Sequence, residues 1–302
     1  MKLSLDTLGK GFSLSLKSVP NISAFLHLLI GMAGMVFMVV IGGLTKVPFI
    51  IGFFTIAGAL FLLYCFFRSA YILNYMAIAE LRDNKTVPHS EAGKAFNAQQ
   101  IQVLLLPVIF AGTVFVEYLI FNGIKEIESI EGNFALSSIL GSPFFIINMI
   151  IALLLILGVG IFLPIMIDQK KGAIGSIKSV VKMIKQQFLR VLVTQLAVIL
   201  LVLVVFLLIN TAFGFAGQPL VGSGNIFLPD LSRITEGFGN VGGEFAQYMA
   251  SGNAVAIIFG ILQMIFAVVI ISAIAAYLFN LFMCLYSFFY LSFLKEHVNF
   301  NE

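Results

Sequence analysis

Lys171, Lys178, Lys182, Lys185 and Arg190 bring five cationic side chains into twenty residues of an otherwise apolar chain. Amines and a guanidinium at that density suit charge-assisted hydrogen bonding to phosphate or carboxylate oxygens. The residues between them fix where that chemistry would take place. Ile174, Ile177, Val180, Val181, Ile184 and Phe188 fall on one third of a helical wheel, with Lys171, Lys178, Lys182 and Lys185 along one flank. Such a helix lies in the plane of a membrane, its apolar side chains among acyl tails and its lysines reaching anionic headgroups. A second face of this kind runs through Leu5, Leu8, Phe12, Leu16 and Val19, with Lys10 and Lys17 beside it. Lys171, Lys178, Lys182, Lys185, Arg190, Lys10 and Lys17 are therefore the candidate lipid-binding residues. A purely anchoring role for them also implies contact with lipid.

Three further polar residues fall inside apolar stretches: Arg68, Glu117 and Asn280. If the second span starts at Val47, Arg68 snorkels at its inner end. If the span is shifted toward Ala79, Arg68 needs a partner, with Glu80, Asp168 and Glu117 as candidates. Glu117 falls near the outer end of a span, which suits an interfacial carboxylate better than a proton carrier. Asn280, with Asn74, Asn148, Gln195 and Gln263, is of the type that hydrogen-bonds between membrane helices. His27 has neither the acidic neighbour nor the second histidine that a relay or metal site would use.

Catalytic constellations are missing from the sequence. It has no GxSxG, no HExxH, and no glycine-rich phosphate loop ending in Lys-Ser/Thr. The expectation is a non-enzymatic protein with no cofactor and no metal. Cys65 and Cys284 stand in apolar surroundings without a CxxC context and read as small hydrophobes.

Composition says which elements must position these residues. Of 302 residues 60% are hydrophobic and 10% charged, with a mean hydropathy of +1.08. A soluble domain is about a quarter charged, so the chain belongs in a membrane. A net charge of +3 is too small to suggest nucleic acid as a partner. The N-terminal apolar run is too long for a signal peptide and has no small-residue cleavage site. Tryptophan is absent, which leaves the interfacial belt to the 8 Tyr and some of the 32 Phe.

The pattern predicts an all-α polytopic protein with six transmembrane helices. The first covers about Asn21–Leu44, with Pro20 ending the preceding segment and Asn21 as N-cap. The second begins near Val47–Pro48. The third covers Ile101–Phe121, the fourth Pro143–Ile167 and the fifth Phe188–Asn210, while the sixth begins near Ala254. The apolar runs 47–81 and 254–294 exceed the roughly 20 residues that cross a bilayer. Neither contains the turn that a further hairpin would need, so each is expected to be one long helix. Fourteen of the 17 basic residues fall on one side of this topology, with Lys46, Lys125 and Arg233 on the other. The positive-inside rule then places both termini in the cytoplasm.

Gly9–Leu29, Ala92–Gly112 and Gly175–Leu196 share a small residue, one or two lysines, spaced apolar positions and then a continuous span. The hairpin ends Ala79–Asp83, Met166–Lys170 and Phe293–His297 also match. These similarities predict three units of elbow helix and hairpin, 1–85, 86–171 and 172–302, around a pseudo-threefold axis. The run Pro164-Ile165-Met166-Ile167-Asp168, Gly172 through Ser179, and on to Phe188-Leu189-Arg190 resembles the membrane domain of some bacterial glycerophosphodiester phosphodiesterases. It is also similar to related stand-alone multi-pass families of unknown function. They share a span ending in proline and an acidic residue, a glycine-containing elbow and a basic-aromatic lead into the next span. The aromatic usual within the elbow is replaced here by Val180 or Val181. The resemblance covers residues 143–210 best and implies membrane geometry only. In that family the phosphodiesterase activity belongs to a separate soluble barrel, which nothing in this chain could form.

The segment 211–253 carries nine glycines interleaved with Phe213, Phe215, Phe227, Phe238 and Phe245. A solvated loop would carry fewer phenylalanines. Capping of the bundle or docking of a neighbouring subunit is expected, with a re-entrant element as the alternative. The functional expectation is a scaffold or complex subunit of the bacterial inner membrane. It would engage anionic lipids and partner proteins, as a homo-oligomer or with other membrane subunits. A transporter or channel for a small solute or lipid is the alternative.

Overall fold

The structure, a computed structural model, describes residues 12–45, 47–129, 158, 160–221 and 254–294. Among the described residues every regular element is helical. We number these helices α1 (Ser18–Leu44), α2 (Pro48–Asp83), α3 (His89–Ser129), α4 (Phe162–Gln169), α5 (Ala173–Val221) and α6 (Ala254–Phe289), the last continued by a π-helical turn at Tyr290–Leu294. Among the described residues five helices are long and apolar enough to cross a membrane: α1, α2, α3, α5 and α6. The chain is thus built as a multi-pass helical membrane protein. Of the expected fourth span only the end is described, as α4. Residues 143–157 and residues 222–253 of the glycine/phenylalanine segment lie outside the described residues.

The long apolar runs each form one helix, as their lack of internal turns predicts. Several boundaries differ from expectation. α1 begins at Ser18, with Lys17 in extended conformation (φ −66°, ψ 138°) as its N-cap. Pro20 therefore sits in the first turn, where its missing N–H has no intrahelical acceptor to lose. Asn21 is inside the helix and is not its cap. The expected face Phe12–Leu16–Val19 is broken by the turn at Leu16–Lys17. Leu16 and Val19 are exposed, while Leu14 and Ser15 are buried. α3 runs unbroken from His89 through Pro107, so the expected second elbow and third span share one helix. α5 continues past Asn210 to Val221, into the expected loop.

The chain divides into two compact units. One comprises Lys17–Ser69 and Ala197–Phe282. Its α1–α2 hairpin is spaced by glycines. A Cβ at Gly31 would lie 2.9 Å from both Cys65 Cβ and Leu62 Cδ1, and one at Gly34 would overlap the Phe61 ring. A Cβ at Gly58 would come 3.2 Å from Met35 Cα and O. Burying apolar surface gives no gain in lipid, so such helices associate by close dispersion contact, which small residues permit. α6 joins this unit through Asn280, which is buried and donates to Asn21 Oδ1 at 2.8 Å, and through Phe279, whose ring centroid lies 4.5 Å from that of Phe66.

The other unit comprises Met1–Leu16, Ala70–Leu196 and Met283–Glu302. Leu14, Ala77, Cys284 and Leu81 cluster in it, and Phe96 packs edge-on against Tyr71. Several polar groups are paired inside it. Asn74 accepts from the Ser287 hydroxyl at 2.7 Å and donates to Ala70 O at 2.8 Å. The Tyr286 hydroxyl donates to Gln195 Oε1. Interhelical bonds of this kind contribute about 0.6 kcal/mol each on average in a membrane. Gly160 faces the Tyr286 ring so closely that a Cβ would overlap it.

Candidate functional site

The basic segment starts from a turn with a specific construction. α4 ends on Asp168 and Gln169, and Lys170 comes next in the left-handed region (φ 51°, ψ 37°). The Lys171 N–H then returns to Met166 O at 3.2 Å, completing a helix stop. At Gly172 a Cβ would lie 2.7 Å from Gln102 Oε1. That same oxygen accepts from the Ala173 N–H at 3.0 Å, so a side chain of α3 caps the start of α5. Glycine at 172 is what lets the cap approach.

A buried node holds the turn from the other side. Asp168, its side chain 2% exposed, accepts from Arg82 Nη1 at 3.1 Å and from the Tyr290 hydroxyl at 2.9 Å. Arg82 is about half exposed and also pairs with Asp83 at 2.9 Å. Gln169 Nε2 donates to Tyr290 at 3.3 Å. A carboxylate this deeply buried needs its charge partner, so the node fixes the end of α4 against α2 and the π-helical turn. Asp168, one of the candidate partners considered for Arg68, is an ion-pair partner of Arg82.

From Ala173 onward the helix shows three faces. Ala173, Ser176, Val180, Met183 and Ile184 are buried, with spacings of three and four that make one stripe. Ile174 (59% exposed), Val181 (41%) and Phe188 (41%) form a second stripe, turned out of the protein. Lys178 and Lys185 are exposed beside it, and Lys182 is half-buried. The apolar face expected from the wheel is therefore split. Val180 and Ile184 pack inside the protein, Ile177 is half-buried, and Ile174, Val181 and Phe188 remain exposed to acyl tails. Lys171 is turned back along the helix, donating to Ser179 Oγ at 2.9 Å. Among the described residues Lys178, Lys182 and Lys185 make no ion pair or hydrogen bond.

At Gln187 the backbone leaves helical geometry (φ −139°, ψ 40°), one residue before the expected start of the fifth span. Both polar atoms of its side-chain amide are buried with no partner among the described residues. The kink separates the basic segment from the apolar remainder of α5. Arg190 lies just beyond it, half-buried.

The remaining candidates belong to other segments of the chain. Lys17 is exposed at the N-cap of α1, and Lys10 lies outside the described residues. Arg68 Nη1 donates to the Tyr64 hydroxyl at 3.4 Å, one turn earlier on α2. Glu117 is carried by α3, with its side chain outside those described. Asn280 is engaged by Asn21, and His27 Nδ1 by Ser23 O at 2.8 Å. Sequence reasoning missed Gln102 and Gln187, and it placed Gly172 in the elbow without giving it a role. A glycine directly before an amphipathic helix was the one visible signal, and it marks a close approach without naming the group that approaches. The chain matches no protein-family model, and no curated protein or solved structure is significantly similar to it.

Proposed function

We propose that this chain is a non-enzymatic scaffold or complex subunit of a bacterial cytoplasmic membrane whose basic elbow, residues 173–187, engages anionic lipid headgroups. In this reading six spans stand in three elbow-and-hairpin units, both termini are cytoplasmic, and the elbow lies at the inner leaflet. One observation supports it above others: a helix anchored on one face presents Ile174, Val181 and Phe188 beside Lys178, Lys182 and Lys185, which make no ion pair or hydrogen bond among the described residues. An outward apolar stripe flanked by amines is what a bilayer interface accommodates. The transport alternative draws less support, because Asn280 and Arg68 are already bonded to Asn21 and Tyr64.

Each lysine near an anionic surface contributes about 1 kcal/mol. Replacing Lys178, Lys182 and Lys185 with Gln should therefore lower retention of anionic lipid by about a hundredfold in native mass spectrometry of the full chain, with the fold intact. Unchanged retention would remove the lipid role. Release of the wild-type protein from its own membrane as a defined assembly with a second protein would establish the subunit role, and that partner would name the process.

A further inference from the structure

Resting on the lipid-engaging reading of the elbow, we infer that the Lys178–Lys182–Lys185 stripe selects a phospholipid with two phosphates in one headgroup over lipids with one. No aspartate or glutamate occurs between Asp168 and Asp230, and Asp168 is buried in its own ion pair. The carboxylate that precedes the stripe in sequence is thus committed to Arg82, and the stripe's own segment carries no counter-charge. The three lysines sit at spacings of four and three on one arc, so their stems start about 6 and 4.5 Å apart along the helix axis. Like charges at such spacings repel one another, and anions from outside relieve that repulsion.

Single-phosphate lipids must each be drawn from the leaflet separately, and each loses its own lateral freedom. A headgroup with two phosphates joined by a short linker delivers its second charge at high effective concentration once the first is held. The span of about 10 Å from Lys178 to Lys185 accommodates both phosphates without moving the backbone. The outward stripe of Ile174, Val181 and Phe188 lies along the same helix face, beside the amines, where the acyl chains of the bound lipid would descend. Lys171 adds to neither stripe, since it is turned onto Ser179.

The test uses the full chain in mixed micelles supplied with cardiolipin and phosphatidylglycerol at equal total phosphate, with phosphatidylcholine as the neutral reference. Native mass spectrometry counts the retained lipids. The expected result is about a tenfold preference for cardiolipin per bound molecule, which falls to none in the K178Q/K182Q/K185Q variant. Equal retention of cardiolipin and phosphatidylglycerol, both above phosphatidylcholine, would overturn the selectivity and leave the anionic-lipid reading standing. Retention of neither above phosphatidylcholine would overturn both. A cardiolipin preference that persists in the triple variant would also overturn the inference, because the selecting site would then lie elsewhere.

Discussion

Two turns in this protein share one construction and lead to different helices. After α2 the chain stops on Asn84 in the left-handed region (φ 50°), and after α4 it stops on Lys170 in the same region (φ 51°). A lysine comes directly after each stop, and a new helix begins soon afterwards. After Asn84, α3 runs unbroken from its amphipathic start into its span. Its buried residues Ala92, Phe96, Val103 and Leu106 keep to one face throughout. After Lys170, α5 carries three lysines in its lead and kinks at Gln187 before its apolar stretch begins. The first lead has one exposed lysine, Lys94, while Lys85 ahead of it pairs with Glu91 at 3.4 Å. A turn of this kind therefore does not dictate an elbow. The helix beyond it decides, through its charge density and through a residue that leaves the helical backbone.

The two turns are also tied together, since Arg82 at the end of α2 bonds Asp168 at the end of α4. Arg82→Ala should have the largest effect on the pair, lowering stability by about 2–3 kcal/mol, because it takes the guanidinium away from a buried carboxylate. Cys65 and Cys284 are buried and outside any disulfide, so their labelling by a thiol-reactive dye on heating reports the loss. Labelling curves that match wild type would show that the node does not hold the turns.

Gln187→Leu should make the second region resemble the first. It removes a buried amide that has no partner among the described residues, stabilises the protein by about 1 kcal/mol and straightens α5. Spin labels at positions 174 and 193 should then move apart in a pulsed dipolar measurement, and an unchanged distance would detach the kink from this side chain. Gln102→Ala removes the acceptor at the start of α5 and should cost about 1 kcal/mol by the same thiol assay. Gly172→Ala disturbs the same bond, so the double variant should cost little more than the worse single one. Full additivity would separate the two residues. Lys94→Gln should have the smallest effect, with stability within about 0.5 kcal/mol of wild type and anionic-lipid retention unchanged. A loss comparable to that of the triple lysine variant would erase the distinction between the two leads.

The helices were legible because a span needs only sustained apolar length, and 47–81 and 254–294 contain nothing to interrupt it. The kink at Gln187 falls one residue before the expected start of the fifth span, where the lysines end. The rotation of the elbow was not legible. A wheel shows that Val180, Ile184, Ile174, Val181 and Phe188 are near one another, but which of them face protein depends on neighbours that the wheel does not contain. The Asp168 node was hidden for a similar reason, since its partners lie 86 and 122 residues away in the chain. Asp168 was recognisable as a charged hairpin end, and nothing local marked it as buried. Asn21 had the composition of a cap, but tertiary bonding to Asn280 gave it a different task.

The glycine seam between α1 and α2 has a consequence for how this hairpin finds its alignment. Dispersion falls off within about an ångström of ideal contact, so a seam of glycines against Leu62, Cys65, Phe61 and Met35 is attractive in one alignment and nearly inert in the others. Slipping either helix by one turn would set side chain against side chain and hold the pair apart. The seam thus acts as a ruler: it leaves misaligned pairings free to separate and retains only the one in which every notch is filled.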